Sequence, residues 1–305
     1  VRGLLQRLRG GASTDRPGFL EVAAEHAALV VAETDIGFYA VNPADHGKGR
    51  KVFLHRRHPP DDVLATALEL LAAEGVDAAA GERWLVDVGA YTGSSAIPAV
   101  LRGSFARALA IEPEPGNYRA LKANVALNDL EEKIRTERCA VSDAPGTVTM
   151  AVNTRMHGKH AVVSEPGGKL KGGVVEVEVP ADTLDAVLAR CGVGAGEVGL
   201  LKIDAQGFED RVLRGAGKLL ATGLPVVIEY AVDELKQQPG ALDRLEAVVA
   251  ERFSRFADLR AATGAAAAEF QPADRMPELR TRYLDAASAK KLGQRRGVTD
   301  LLLLA

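Results

Sequence analysis

Two chemistry-bearing features lie close together in the first half of this 305-residue chain. The run Val86-Asp87-Val88-Gly89-Ala90-Tyr91-Thr92-Gly93 passes from an apolar strand pattern into a helical one. A glycine at 89 lets the backbone turn sharply and approach a ligand closely, and the unpaired N–H groups opening the next helix suit an anion. A nucleotide or an amino-acid carboxylate would sit there. Nineteen residues beyond Gly93 the next apolar run ends in Glu112, where a carboxylate can accept both hydroxyls of a ribose. Singly, the glycines could make a bare strand-to-helix turn, and Glu112 could cap the helix begun by Pro115. Their pairing after consecutive strands points to a ribonucleoside site. A dinucleotide fold prefers GxGxxG, but here the spacing is Gly-x-x-x-Gly with Tyr91 in the middle, so nicotinamide binding ranks second.

The pattern around these residues predicts the scaffold. From Trp84 onward, short apolar runs at 84–88, 108–111, 134–140, 200–204, 225–230 and 301–304 alternate with helical patterns starting near Thr92, Pro115, Asp182, Phe208 and Ala241. This β-α alternation predicts an α/β fold, a doubly wound and mostly parallel Rossmann-like sheet. Pro115 suits a first helical turn, and Tyr118, Leu121 and Val125 then share one face. The stretch 146–179 breaks the rhythm with β-like runs at 147–152 and 174–179 around a Gly, His and Lys-rich loop, which reads as an insertion over the sheet's active edge. Residues 1–80 form an expected N-terminal extension: a loose start to residue 18, a helix over 19–31, short strands at 36–41 and 52–55, and a helix capped by Asp61-Asp62. Residues 81–305 are expected to form the main domain. Leu242, Leu245, Val249 and Phe253 should be core.

Composition bounds the partners. The hydrophobic share of 47% and charged share of 26% can support a sizeable core. The 38 basic and 41 acidic residues leave a formal charge of −3, which gives no overall attraction to nucleic acid or an anionic membrane. The cluster Lys290, Lys291, Arg295 and Arg296 reads as a solvated loop. No apolar run reaches the roughly 20 residues needed to span a bilayer, and no signal-peptide pattern is visible, so a cytoplasmic protein with a small-molecule substrate is expected. The sequence leaves room for a homo-oligomer. Cys139 and Cys191, without a CxxC partner, suggest buried thiols rather than a disulfide framework or zinc cluster.

The same residues resemble the FkbM-type methyltransferases. Ile111-Glu112-Pro113-Glu114-Pro115, then Asn117-Tyr118, Leu121-Lys122 and Asn124, is similar to that family's second-strand and helix signature, and Ala140-Val141-Ser142-Asp143 to its third-strand end. Asp182-Thr183-Leu184-Asp185 and the block Leu201-Lys202-Ile203-Asp204-Ala205-Gln206-Gly207-Phe208-Glu209 carry the most specific likeness. Val212 to Ala216, Val227-Ile228-Glu229 and Thr299 to Leu302 complete it. The family usually has Glu where this chain has Gln206, and residues 1–80 and 231–297 match only weakly.

This resemblance implies a class I Rossmann-like fold and S-adenosyl-L-methionine as cofactor. It implies that the loop of Gly89, Ala90, Tyr91, Thr92, Gly93 and Ser94 holds the methionine half, Glu112 the ribose, and the strand end from Ala140 to Asp143, with Ser142, the adenine, while Asp87 and Pro113 are further cofactor contacts. Asp204 would face the sulfonium region. In such a sheet ligands gather at the carboxyl ends of the strands, which would place Asp204, Glu229 and the 153–160 loop around one crevice. For a hydroxyl acceptor the candidate bases are Lys202, Asp204, Glu209, Glu229, His157 and His160, with Asn153 and Tyr230 as further substrate contacts; the sequence does not choose among them. The histidines have donor types for a metal, but their i, i+3 spacing has no special meaning outside a helix, and none is expected. The expected function is O-methylation of a hydroxyl on a sugar, lipid or secondary metabolite, in natural product biosynthesis. The rivals are a nicotinamide oxidoreductase and a non-catalytic subunit with a degenerate fold.

Overall fold

The computed structural model describes residues 16–58, 62–153, 160–163, 173–260, 268–284 and 297–305. Expectations for Asp61, His157 and the Lys290 to Arg296 cluster lie outside the described residues.

Residues 84–304 build the scaffold from strands of near-continuous apolar character. β3 (Trp84–Val88), β4 (Arg107–Ile111) and β5 (Ile134–Glu137) lie side by side and parallel, and β10 (Val198–Ile203) and β11 (Val226–Ala231) extend the sheet from the other side of β3. β14 (Val298–Leu304) joins β11 antiparallel, followed by β12 (Arg255–Asp258) and β13 (Gln271–Pro272), giving an eight-stranded order of β13-β12-β14-β11-β10-β3-β4-β5. The sheet is α/β, Rossmann-like and mostly parallel.

Period-two alternation assigns each strand residue to one of two helical layers. Leu85, Ala108, Ala110, Leu200 and Val227 pack with α3 (Asp62–Ala73), α4 (Ala96–Leu101) and α5 (Pro115–Leu127). Val86, Val88, Leu109, Leu201 and Ile228 pack on the opposite face with α6 (Leu184–Arg190), α7 (Glu209–Arg214), α8 (Gly217–Leu220), α9 (Val232–Leu235) and α10 (Ala241–Arg252). Leu242, Leu245, Val249 and Phe253 are buried there. α5 begins as Pro115 predicts: Glu114 is the N-cap and its carboxylate accepts the Asn117 N–H at 2.6 Å.

Four readings change. The run at 134–140 is two strands: β5 ends at Glu137, and β6 (Ala140–Val141) joins a separate sheet of order β6-β9-β7-β8 with β7 (Gly146–Asn153), β8 (Ala161–Val162) and β9 (Val174–Asp182). The chain leaves the edge of the main sheet there and crosses to a small core of Ala140, Met150, Val152, Val179 and Ala181. The expected strand at 52–55 is instead the end of helix α2 (Lys48–His55). A short apolar run cannot be told from a buried helix segment by periodicity, and here Asp45 decides it by accepting the Gly47 and Gly49 N–H groups, both at 2.8 Å. The helix expected over 19–31 is α1 (Arg16–His26), after which β1 (Val30–Glu33) pairs antiparallel with β2 (Phe38–Val41). Cys191 is half-buried, unlike the buried Cys139.

Candidate functional site

The sheet order reverses between β3 and β10, because the chain winds outward through β4 and β5 before returning to β10 and β11. Crevices open at such switch points beyond the strand ends. Gly89 sits there at φ 80°, and a Cβ on it would lie 1.8 Å from the Asp204 carbonyl oxygen, so no other residue fits without moving the chain. Asp204 in turn donates its N–H to the Val88 carbonyl at 2.9 Å. The turn after β3 and the end of β10 are thus locked together.

Tyr91 has φ 54°, a left-handed conformation that costs a non-glycine residue about 1 kcal/mol or more. Bonds at both ends hold it: its N–H donates to Glu112 Oε2 at 2.8 Å and its hydroxyl to Asp45 Oδ2 at 2.8 Å. Glu112 closes β4, and its second oxygen accepts the Glu114 N–H at 2.9 Å. A carboxylate offers about four acceptor positions, and the Asn117 side chain also bonds to this one. Burial is the main influence on this carboxyl and pushes it up to about 8, against the backbone bonds from Glu114 and Tyr91 that favour the anion.

The cleft between these elements holds about 730 Å³ of empty space open to solvent. Its walls include Gly89, Tyr91, Ser94, Glu112, Pro113 and Asn117 on the β3 and β4 side, and Asp204, Ala205, Gln206 and Phe208 after β10. Cys139, Ala140, Val141, Met150 and Val162 give it an apolar side, to which the strand crossing from β5 to β6 delivers the first three. A nucleoside fits this donor set: a carboxylate at a strand end for the ribose, an apolar wall for a flat base, and a glycine turn with no room for a Cβ.

The N-terminal segment belongs to this site, which residue spacing gave no means of seeing. The Tyr39 hydroxyl donates to the Thr92 carbonyl at 3.0 Å. Asn124, buried on α5, accepts the Ala40 N–H at 2.5 Å and donates to the Ala40 and Thr92 carbonyls at 3.1 and 2.9 Å. Asp45 is buried, binding Tyr91 and starting α2, so the first residue of that helix, Lys48, lines the cleft.

Asp204 lines the far side, and behind it lie the half-buried Glu229 and the buried Glu209, which do not line the cleft. Asp204 and Glu229 follow one another across neighbouring strands, and the Gln206 side-chain nitrogen donates to Asp204 Oδ1 at 2.7 Å and Glu229 Oε2 at 2.8 Å. Burial would raise the Asp204 carboxyl, but Lys202 and Lys48, with bonds from Gln206 and Glu229, hold it below its ordinary value. Burial, then the charges of Asp204 and Asp300, push Glu229 well above its own. Glu209 is buried and accepts the Ala205 N–H at 3.0 Å and the Gly207 N–H at 3.0 Å; it shapes the 204–208 loop, and burial lifts it to about 8.

Most of the other candidates are placed elsewhere. Lys202 lies within β10, its Nζ 3.3 Å from Asp87 Oδ1 on β3, and neither lines the cleft. Ser142 and Asp143 lie past the lining residues, with Asp143 paired to Arg211 and Arg214 at 3.3 Å each. Tyr230 is fully buried and donates to Glu246 at 2.9 Å in the core, so it is not brought to the site. His160 lines the cleft, its Nδ1 accepting the Asn153 N–H at 3.0 Å and its Nε2 4.0 Å from Glu114; Asn153 thereby supports His160. Ala90 and Thr92 are buried inside the turn, and a Cβ on Gly93 would lie 2.4 Å from Ile97 Cδ1. Among the described residues no group of three or more His, Cys, Asp or Glu could hold a metal ion, and no helix is long and apolar enough to cross a membrane.

The sequence model of the methyltransferase FkbM domain matches residues 87–261. Methyltransferase sdnD of Sordaria araneosa is 29% identical over 154 residues, which are 43% of this chain and 60% of that protein. The chain therefore spans about 60% of the length of that curated relative. Among solved structures, Methyltransferase FkbM from Methylobacillus flagellatus KT shares 15% identity at a TM-score of 0.43, with 73% of this chain and 43% of that one covered. The precorrin-6y C5,15-methyltransferase from Geobacter metallireducens shares 8% at a TM-score of 0.36, covering 79% and 85%.

Proposed function

Because the chain belongs to the FkbM methyltransferase family, we propose that it uses S-adenosyl-L-methionine to methylate a hydroxyl group of a small-molecule acceptor, a sugar, lipid or secondary metabolite. The reading rests on one observation: Glu112 and Asp204 line the same cleft from the ends of β4 and β10, with Gly89 on the strand between them. The family membership removes the support of the nicotinamide alternative, whose GxGxxG loop is also missing. A small-molecule substrate, a cytoplasmic setting and a place in natural product biosynthesis belong to the same proposal, and the free thiols of Cys139 and Cys191 agree with a reducing compartment.

The cofactor supplies an electrophilic methyl group that a nucleophile takes by direct displacement. This chain's residues must then bind, align and remove one proton. Glu112 accepts the ribose hydroxyls, and the apolar wall of Cys139 to Val141, Met150 and Val162 excludes water from the base. Asp204 takes the proton of the acceptor hydroxyl as the new carbon–oxygen bond forms. A weak base suffices, because an oxygen gaining a third bond becomes strongly acidic. Lys48, which also lines the cleft, helps to hold that base ionised.

The decisive experiment incubates the protein with methyl-labelled cofactor and extracts of its source organism, then identifies the product by mass spectrometry and NMR. An O–CH3 product is expected. A label on nitrogen or carbon would overturn the hydroxyl acceptor, and cofactor binding without transfer would overturn the enzymatic reading. On the identified acceptor, Lys48→Met should move the acid limb of the turnover profile to higher pH, because a cation that holds Asp204 ionised is gone. An unmoved limb would show that Lys48 plays no part in setting the base.

A further inference from the structure

The N–H groups of the turn after β3 are already committed within the protein. Gly89 and Ala90 donate to the Ile111 carbonyl at 3.0 Å each, Tyr91 donates to Glu112, and Gly93 and Ser94 donate to the Ala90 carbonyl at 2.8 and 3.3 Å. Thr92 is buried against Tyr39 and Asn124. These donors are thereby withheld from the amino-acid carboxylate that the sequence places at the turn. Such a charge leaves water only at high cost unless a cation or donors meet it. What remains to meet it in this part of the cleft is a side chain.

We infer that Lys48 binds the carboxylate of the cofactor's methionine half, and that Asp45, acting through the Tyr91 hydroxyl, is the positioning residue that holds Lys48 at the turn. Among the described residues that line the cleft, Lys48 is the one lysine or arginine. A compact ammonium on a flexible stem carries three donors and suits a small carboxylate that no planar fork has to match.

The chain is built to deliver this lysine. Asp45 is buried, and its two oxygens accept the Gly47 N–H, the Gly49 N–H and the Tyr91 hydroxyl, each at 2.8 Å. The first two bonds start α2 with Lys48 as its first residue, and the third ties that start to the turn. A Cβ on Gly49 would lie 2.7 Å from Asp45 Oδ2 and 3.2 Å from Val41 Cβ. The helix start and β2 thus close on the carboxylate with no space for another side chain. The left-handed Tyr91 fits the same purpose, because strained residues persist where the surroundings over-determine them and cluster at functional sites.

Tyr91 also gives the order of groups along the cleft. Its N–H bonds the ribose acid Glu112 and its hydroxyl reaches Asp45, so a single tyrosine side chain links the ribose end to the start of α2. Asp204 lies between them in function: it abuts Gly89 through its carbonyl and feels the charge of Lys48. The cofactor has the same sequence of ribose, sulfonium and amino-acid end. With the ribose at Glu112 and the sulfonium at Asp204, the amino-acid end comes to Lys48. The competing use of this cation is an anionic group on the acceptor, and the ligands chosen below tell the two apart.

The inference rests on the proposed cofactor, and calorimetry with two ligands separates the one from the other. S-adenosylhomocysteine carries the amino-acid end; 5′-methylthioadenosine has the same base, ribose and thioether sulfur without it. Lys48 is exposed, so Lys48→Met should fold. It should weaken S-adenosylhomocysteine about tenfold and leave 5′-methylthioadenosine within about twofold of wild type, and Lys48→Arg should recover most of the loss. Tyr91→Phe cuts the tether and keeps the N–H on Glu112; it should lower the preference for S-adenosylhomocysteine about threefold. In Lys48→Met, an equal loss for both ligands, or no loss for either, would overturn the carboxylate assignment, the second result leaving the cation to the acceptor. An unmoved preference in Tyr91→Phe would overturn the positioning role of Asp45. Wild-type protein that binds both ligands alike would overturn the inference and leave the methyltransferase reading standing, whereas binding of neither would overturn both.

Discussion

Glu112→Ala is expected to weaken S-adenosylhomocysteine binding about 100-fold, because a buried carboxylate accepting two ribose hydroxyls contributes hydrogen bonds to a charged group, roughly 1.5 kcal/mol or more each. Calorimetry would read this directly. The loss should exceed that of Glu112→Gln, which keeps one acceptor oxygen and with it one of the Tyr91 and Glu114 backbone contacts. The change to alanine also strands those N–H groups, so thermal melting of the free protein has to accompany it. A variant that melts like wild type and still binds within about threefold would remove the ribose assignment and, with it, the nucleoside reading of the cleft.

The same residue sets a pH dependence whose two signs are opposite. In the free folded protein burial holds this carboxyl near 8, against an ordinary value of 4.5. The folded state therefore binds the proton more tightly than the unfolded chain. Its contribution to folding stability is full below about 4.5 and is lost as pH rises through about 8, and Glu209 adds a contribution of the same sign. Cofactor binding runs the other way, since the ribose hydroxyls need the carboxylate: affinity should fall up to about tenfold per pH unit below 8 and level off above it. Glu112→Gln should flatten that dependence.

The strands of the main sheet were legible because each is buried on both faces and so reads as an unbroken apolar run. Gly89 and Glu112 were legible for a related reason: a turn that admits no Cβ and an acid that ends a strand are both local requirements of the chain. What stayed hidden is long-range. Nothing in the spacing of Tyr39, Asp45 or Lys48 reveals that this segment folds back on Thr92 and Tyr91, since their bonds span from 46 to 53 residues. The stretch at 52–55 misleads because Val52, Phe53 and Leu54 are apolar in either secondary structure, and the outcome depends on Asp45 starting a helix. Tyr230 looks like a substrate contact from its place at a strand end, but the inward side of that strand position meets Glu246 on α10. The likeness to the family puts the adenine at the strand end from Ala140 to Asp143; Ala140 and Val141 line the cleft with Cys139, and Ser142 and Asp143 do not, because the chain changes sheets between β5 and β6.

Asp204→Asn should lower kcat roughly 1,000-fold, within the range a positioned general base contributes. The substitution keeps shape and removes charge, so two effects separate. As base, Asp204 affects only the step in which the acceptor loses its proton, and a more basic acceptor should recover part of the loss. As an anion held ionised by Lys202, Lys48 and the Gln206 amide, it also distinguishes a cationic sulfonium from a neutral thioether. Loss of that charge should weaken S-adenosylmethionine on the order of tenfold more than S-adenosylhomocysteine, in a site of intermediate effective dielectric. If affinity for both compounds changed equally while turnover fell, Asp204 would act on the acceptor alone. If turnover stayed within about tenfold of wild type, the proton would have to leave by another route, and His160, which also lines the cleft, would be the group to replace next. Glu229 is the poorer substitute: burial, then the surrounding acids, raise its carboxyl well above the ordinary value, and it does not line the cleft.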